Sequence, residues 1–155
     1  MGTIQNSLNT MLGTVAATAA AGKHISNQNK ELEVKKVAAE QEQFNAENEL
    51  KQNTADIAHQ MVLEGNDAGF KPKEGETAEQ AEQRAVDEYL EAQSEAAEDR
   101  YQEQMMKVKN PAKSKRVEMA RKAADEAQDA INARRNLQFN LEEANKRLKI
   151  FKGVK

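Results

Sequence analysis

Two histidines, one glycine-rich stretch and two opposed blocks of charge are the residues of this 155-residue chain whose types could do chemistry. His24 and His59 would be metal ligands or proton carriers, but they stand far apart and neither lies in a His-Glu-x-x-His helix. Gly65, Gly69 and Gly75 follow no strand pattern and do not lead into a Gly-Lys-Ser/Thr ending, so they make no phosphate-cradling loop. Gly65-Asn66-Asp67 lacks the alternating oxygen ligands and closing glutamate of a calcium loop. Carboxylates are plentiful, but they lie on polar helical stretches. Nothing marks a pair as desolvated, which is what raises a carboxyl pKa for acid–base work. With no cysteine there is neither a thiolate site nor a disulfide. These residues point to a non-enzymatic chain with no cofactor, no metal site, no catalytic residue and no small-molecule substrate.

Charge is the stronger signal. Residues 74–103 carry 11 acidic and 2 basic side chains, whereas residues 104–155 carry 14 basic and 6 acidic. Lys113, Lys115, Arg116, Arg121 and Lys122 are the candidates for phosphate contact. No aromatic residues interleave with them, so that contact would be to the nucleic-acid backbone, non-specific for sequence and sensitive to salt. The simpler expectation is that the acidic and basic blocks pair across a turn at Pro111. A second basic cluster, Lys146, Arg147, Lys149, Lys152 and Lys155, lies beside Leu148, Ile150 and Phe151, a combination that suits an anionic membrane surface.

The elements that must position these residues read as all-α, with no strand pattern. Residues 1–64 form an N-terminal weakly apolar helix running into a polar one, along a seam of Ile25, Leu32, Ala39, Ala46, Leu50, Ile57 and Met61 interrupted by Lys36, Gln43 and Asn53. Residues 65–76 form a loop. Residues 77–155 form a two-helix region, acidic then basic, with a break near 109–112. Thr77 and Gln80 make a capping box that opens the acidic helix. The basic helix has the cleanest stripe: Val117, Ala120, Ala124, Ala127, Ile131, Arg134, Gln138, Leu141, Asn145 and Leu148. Alanine supplies 25 of the apolar residues, so any core is thin. The expected architecture is therefore one of long extended helices or a helical hairpin with coiled-coil-like packing, completed by oligomerisation.

The stretch Met1–Gly22, MGTIQNSLNTMLGTVAATAAAG, has no charged side chain. As a helix it places Ile4, Leu8, Met11, Leu12 and Val15 on one face. Gly13, Ala17 and Ala21 form a small-residue stripe that lets helices approach closely. These are the membrane or oligomer contact candidates. The many Thr and Asn residues make the stretch too polar for an ordinary span and suit conditional insertion as an oligomer. It is no secretory signal, because its first basic residue, Lys23, follows it. Asn6 stands where N-myristoylation needs Ser or Thr.

The opening SLNTMLGTVAATAAAGKHISNQNKELEVKKVAAEQEQFNAENEL resembles the small internal virion proteins of tailed bacteriophages, the ejection or pilot class of podovirus type. The likeness covers about 60 residues and is one of composition: a Gly/Ala/Thr-rich helix leading into an Ala/Gln/Asn/Glu-rich one. It implies storage in the virion, in the capsid interior or the portal and tail region, then passage into the host envelope to help form a channel for DNA. It further implies a homo-oligomer touching other virion proteins, a host membrane and, non-specifically, DNA. Two other readings stand beside it: a virion or coiled-coil assembly protein that never meets lipid, and a helical nucleic-acid-binding protein using the basic C-terminal third.

Overall fold

From residue 24 to residue 63 the chain contains no glycine or proline, so nothing interrupts a helix. In the computed structural model, which describes residues 24–153, this stretch is the single helix α1, His24–Leu63. Gly65 ends it. At φ +76° it adopts a left-handed conformation that costs glycine little. Its N–H then reaches the Val62 carbonyl at 3.1 Å, while the Asn66 N–H reaches that of Met61 at 2.7 Å. That pair of bonds satisfies carbonyls the helix end would leave open.

A short 3₁₀ turn, Asp67–Phe70, follows, and the chain reaches α2, Ala78–Lys107, through a second left-handed glycine, Gly75. The capping box forms as expected. Thr77 Oγ1 accepts from the Gln80 N–H at 3.1 Å and Gln80 Oε1 accepts from the Thr77 N–H at 3.0 Å. Arg84 ties this loop down. Its guanidinium donates to both carboxylate oxygens of Glu76, at 3.0 and 3.1 Å, and to the Lys71 carbonyl at 3.3 Å. The Arg84 guanidinium holds the Glu76 carboxyl below its usual range. Pro111 sits in the next 3₁₀ turn, Pro111–Lys113, and Ser114 caps α3, Lys115–Gly153. All three helices are long, and there is no strand among the described residues.

The chain divides into two compact units, and α1 and α3 contribute to both. In the unit Glu49–Gln138, Ala58 and Met61 of α1 meet Ala85, Val86 and Leu90 of α2 and Ile131 of α3, with Ile57, Phe70 and Tyr89 at the edge. Helices α2 and α3 run antiparallel, with Ser94 Oγ bonded to Gln128 at 3.4 Å and Glu91 beside Arg135 at 3.9 Å. Past Leu90 no residue of α2 is buried, although Val117, Ala120 and Ala124 of α3 are. The cause is that α1 has ended at Leu63, so the three-helix core ends with it.

In the other unit, residues 24–48 and 139–153, the buried residues are Ala39, Ala46, Ala144 and Leu148. Glu42 and Arg147 form an ion pair across it. Phe44, Phe139 and Ile150 are more than half exposed here, at 55%, 59% and 66%.

Two sequence expectations shift. The stripe of α3 is buried or half-buried through Leu141, but Ala144 takes the place of Asn145, which is exposed. Leu141, Ala144 and Leu148 still keep the three- and four-residue steps of one helical face, which here passes one position before Asn145. Likewise Leu32 is 44% exposed, while Thr54, outside the expected seam of α1, is buried. The pairing of acidic and basic blocks near the turn also fails. Among the described residues no ion pair joins Lys113, Lys115, Arg116, Arg121 or Lys122 to an acidic side chain of α2. There Val117 and Ala120 are buried, Ala97 and Tyr101 are half-buried, and the five cations are exposed.

Met61→Ala should cost about 2–5 kcal/mol of stability in chemical denaturation, because it opens a cavity in the core. Met119→Ala, at a position 71% exposed, should change stability by no more than about 0.5 kcal/mol. A second expectation concerns Tyr89, whose hydroxyl donates to the Glu64 carboxylate at the end of α1. Burial, and then that hydrogen bond, push Tyr89 from 10.0 up to about 12. Folding favours the neutral phenol, so this stabilisation is complete below pH 10.0 and is lost as pH rises towards about 12. Alkaline unfolding of Tyr89→Phe should lack that component.

Candidate functional site

Among the described residues the most deeply buried charged group is Arg134, 1% exposed, and a polar cluster is built around it. The stripe of α3 aims this side chain inward, between Ile131 and Gln138. A guanidinium stays protonated, so burying it requires partners for its N–H groups. Helix α2 supplies Asp87, which accepts from Arg134 Nε, and the Gln83 carbonyl, which accepts from Nη2 at 3.4 Å. From α1 come Thr54 Oγ1 at 2.8 Å and Asn53 Oδ1 at 3.0 Å, both accepting from Nη1. Thr54 passes its own hydroxyl proton to the Leu50 carbonyl at 2.9 Å, which leaves its oxygen free to accept. Gln138 Nε2 completes the group by donating to Asp87 at 3.2 Å. Asp87 is about half exposed, with its side chain at 46%, so water also reaches the carboxylate.

A cleft of about 180 Å³ opens beside the cluster, lined by Asp87, Leu90, Glu91, Ile131, Arg135 and Gln138. No nucleophile and no histidine lines it. The two carboxylates that do, Asp87 and Glu91, are paired with Arg134 and Arg135, so the arrangement joins helices and leaves neither carboxylate without a cation. Sequence reading counted Arg134 and Gln138 as positions of the α3 stripe and Asn53 as a polar interruption of the α1 seam, with no role for any of them. Thr54, Gln83 and Asp87 carried no signal, since their role depends on which helices meet.

The candidates read from the sequence fall elsewhere. Lys113, Lys115, Arg116, Arg121 and Lys122 are all exposed and are brought together around the start of α3. Lys146 is held by Glu142 and Glu143 at 3.5 Å, which raise its pKa, and Arg147 is held by Glu42. Ile4, Leu8, Met11, Leu12, Gly13, Val15, Ala17 and Ala21 lie outside the described residues. His24 is the first residue of α1, and His59 is exposed on the same helix. Among the described residues, no three His, Cys, Asp or Glu side chains are grouped to hold a metal ion, and no helix is long and apolar enough to cross a membrane. No family model matches this chain, and comparison with curated proteins and with solved structures returns no match.

Removing one member of the cluster should leave the others buried and short of a partner. Asp87→Ala should therefore destabilise by about 3 kcal/mol, the lower part of the range for a broken buried pair, since the carboxylate is partly hydrated. Arg134→Leu combined with Asp87→Leu should cost less than the sum of the single changes, measured as a double-mutant cycle in urea. Additive losses would show that the two side chains act independently.

Proposed function

We propose that this chain is a non-enzymatic structural protein of a tailed-phage virion, of the internal or ejection type. On this reading it assembles as an oligomer and helps form a channel for DNA across the host envelope. The observation that carries the assembly part is the distribution of burial. A chain of this length buries few large apolar side chains, while Phe44, Met106, Met119, Phe139 and Ile150 stand more than half exposed on long helices. Faces of that kind are completed by partners. The phage and membrane part rests on the resemblance of the opening 60 residues and on the uncharged stretch Met1–Gly22. A nucleic-acid reading is favoured by one feature, the exposed cations around the start of α3, and would be sequence-blind.

Liposome flotation of the full chain and of a chain lacking residues 1–22 tests the membrane part. The full chain should float with lipid, and the shortened one should remain in the soluble fraction with its helix content intact. Leu12→Asp should abolish flotation, because a charge near the bilayer centre costs about 2.5–3.5 kcal/mol. Ala17→Leu should keep lipid binding and reduce oligomers and dye leakage, because it fills the small-residue stripe. Flotation unaffected by any of these changes would make Met1–Gly22 a protein contact in an assembly that never meets lipid.

A further inference from the structure

Within the unit Glu49–Gln138, the α2–α3 hairpin carries two surfaces of opposite character. At its turn, Lys109, Lys113, Lys115, Arg116, Arg121 and Lys122 are exposed, and among the described residues none of them forms an ion pair. Met106 and Met119 stand out among them, 87% and 71% exposed. Further along α2, beside the end of α1, a shallow groove of about 460 Å³ is lined by Met61, Asn66, Glu88, Tyr89, Ala92 and Ala96. Its surroundings are acidic: Glu88 lines it, and Glu95 and Asp99 are exposed at helical spacing from Ala92 on the same face of α2, neither of them in an ion pair among the described residues.

We propose that this hairpin is a homotypic interface, in which the basic, methionine-bearing turn of one copy docks on the acidic, alanine-lined groove of a second copy. The inference rests on the assembly reading above and gives it a surface. Charge complementarity selects the occupant. The chain presents both halves of the match and does not pair them internally, and unscreened blocks of opposite sign attract across a two-fold axis. Ala96 and Met106 are ten residues apart on one helix, or roughly 15 Å at helical rise. Two hairpins laid side by side in opposite directions therefore bring each turn over the other's groove, and the contact is the same for both copies. Alanine at 92 and 96 keeps the groove open, and methionine is the side chain best able to fill an irregular cleft. A phosphate backbone would neutralise the cations but would leave Met106 and Met119 in water.

The absence of native cysteine gives a direct test with the full chain. A mixture of M106C and A96C chains should form a disulfide-linked heterodimer under mild oxidation, and neither chain alone should do so efficiently. Sedimentation should show that E95K/D99K and K115E/R121E each weaken self-association about tenfold or more, with helix content unchanged. Mixing those two chains should restore association, and added salt should weaken the wild type. Self-association with no heterodimer and no response to charge reversal would overturn this interface while leaving the assembly reading standing. A chain that stays monomeric at all concentrations would overturn both. If K115E/R121E instead abolishes binding to phosphatidylglycerol vesicles or duplex DNA while E95K/D99K changes nothing, the turn is a phosphate-binding surface and this proposal is wrong.

Discussion

A guanidinium that cannot lose its charge is buried where three helices meet, and the placement of those helices has to satisfy it. Arg134 reaches α1 through Asn53 and Thr54 and α2 through Asp87 and Gln83, so its five N–H groups bear on the register of all three helices at once. Sliding any helix by one residue would withdraw a partner and leave a charge or an amide without one. Apolar contacts tolerate such a slip far better, because one alanine packs against a helix much as another does. In a core this rich in alanine, the polar group supplies a specificity that shape alone does not. Whether it adds net stability over an apolar replacement is a separate matter, since desolvating the charge offsets much of the attraction.

The end of α1 sets the second constraint. A left-handed glycine, two backbone bonds and the Tyr89–Glu64 contact stop the helix at Leu63. The cluster of large buried side chains stops with it. Beyond that point in the same unit, the buried residues are Val117, Ala120 and Ala124 of α3, with none on α2. Local opening free energy follows buried apolar contact. The turn end of the hairpin is thus the part of this unit that opens most readily, and it is also where the unpaired charges gather. The surface best equipped to meet a partner lies on the segment with the least stability of its own, so binding there would also stabilise it.

Much of this was legible in the sequence, and the reason is periodicity. A chain with two prolines, clustered glycines and apolar residues every three or four positions has few alternatives to long helices. Thr77 and Gln80 announced a capping box because both partners lie within one turn of chain. The stripe of α3 from Val117 to Leu141 was readable for the same reason. Interactions of short sequence range obey rules that composition and spacing express.

What only the tertiary structure decided has long sequence range. Asn53 read as an interruption of one seam and Arg134 as a position in another stripe, and nothing local says that one answers the other across 81 positions. Thr54 and Asp87 became important through the helices placed beside them. The charge blocks, legible as blocks, did not pair near the turn as the simplest electrostatic argument expects: the cations there are exposed, while Val117 and Ala120 are the buried residues. Sequence alone determined that this protein is helical, where its helices break and how its charge is divided. Which side chains face one another was decided by three helices sharing one buried charge and by the residue at which the first of them ends.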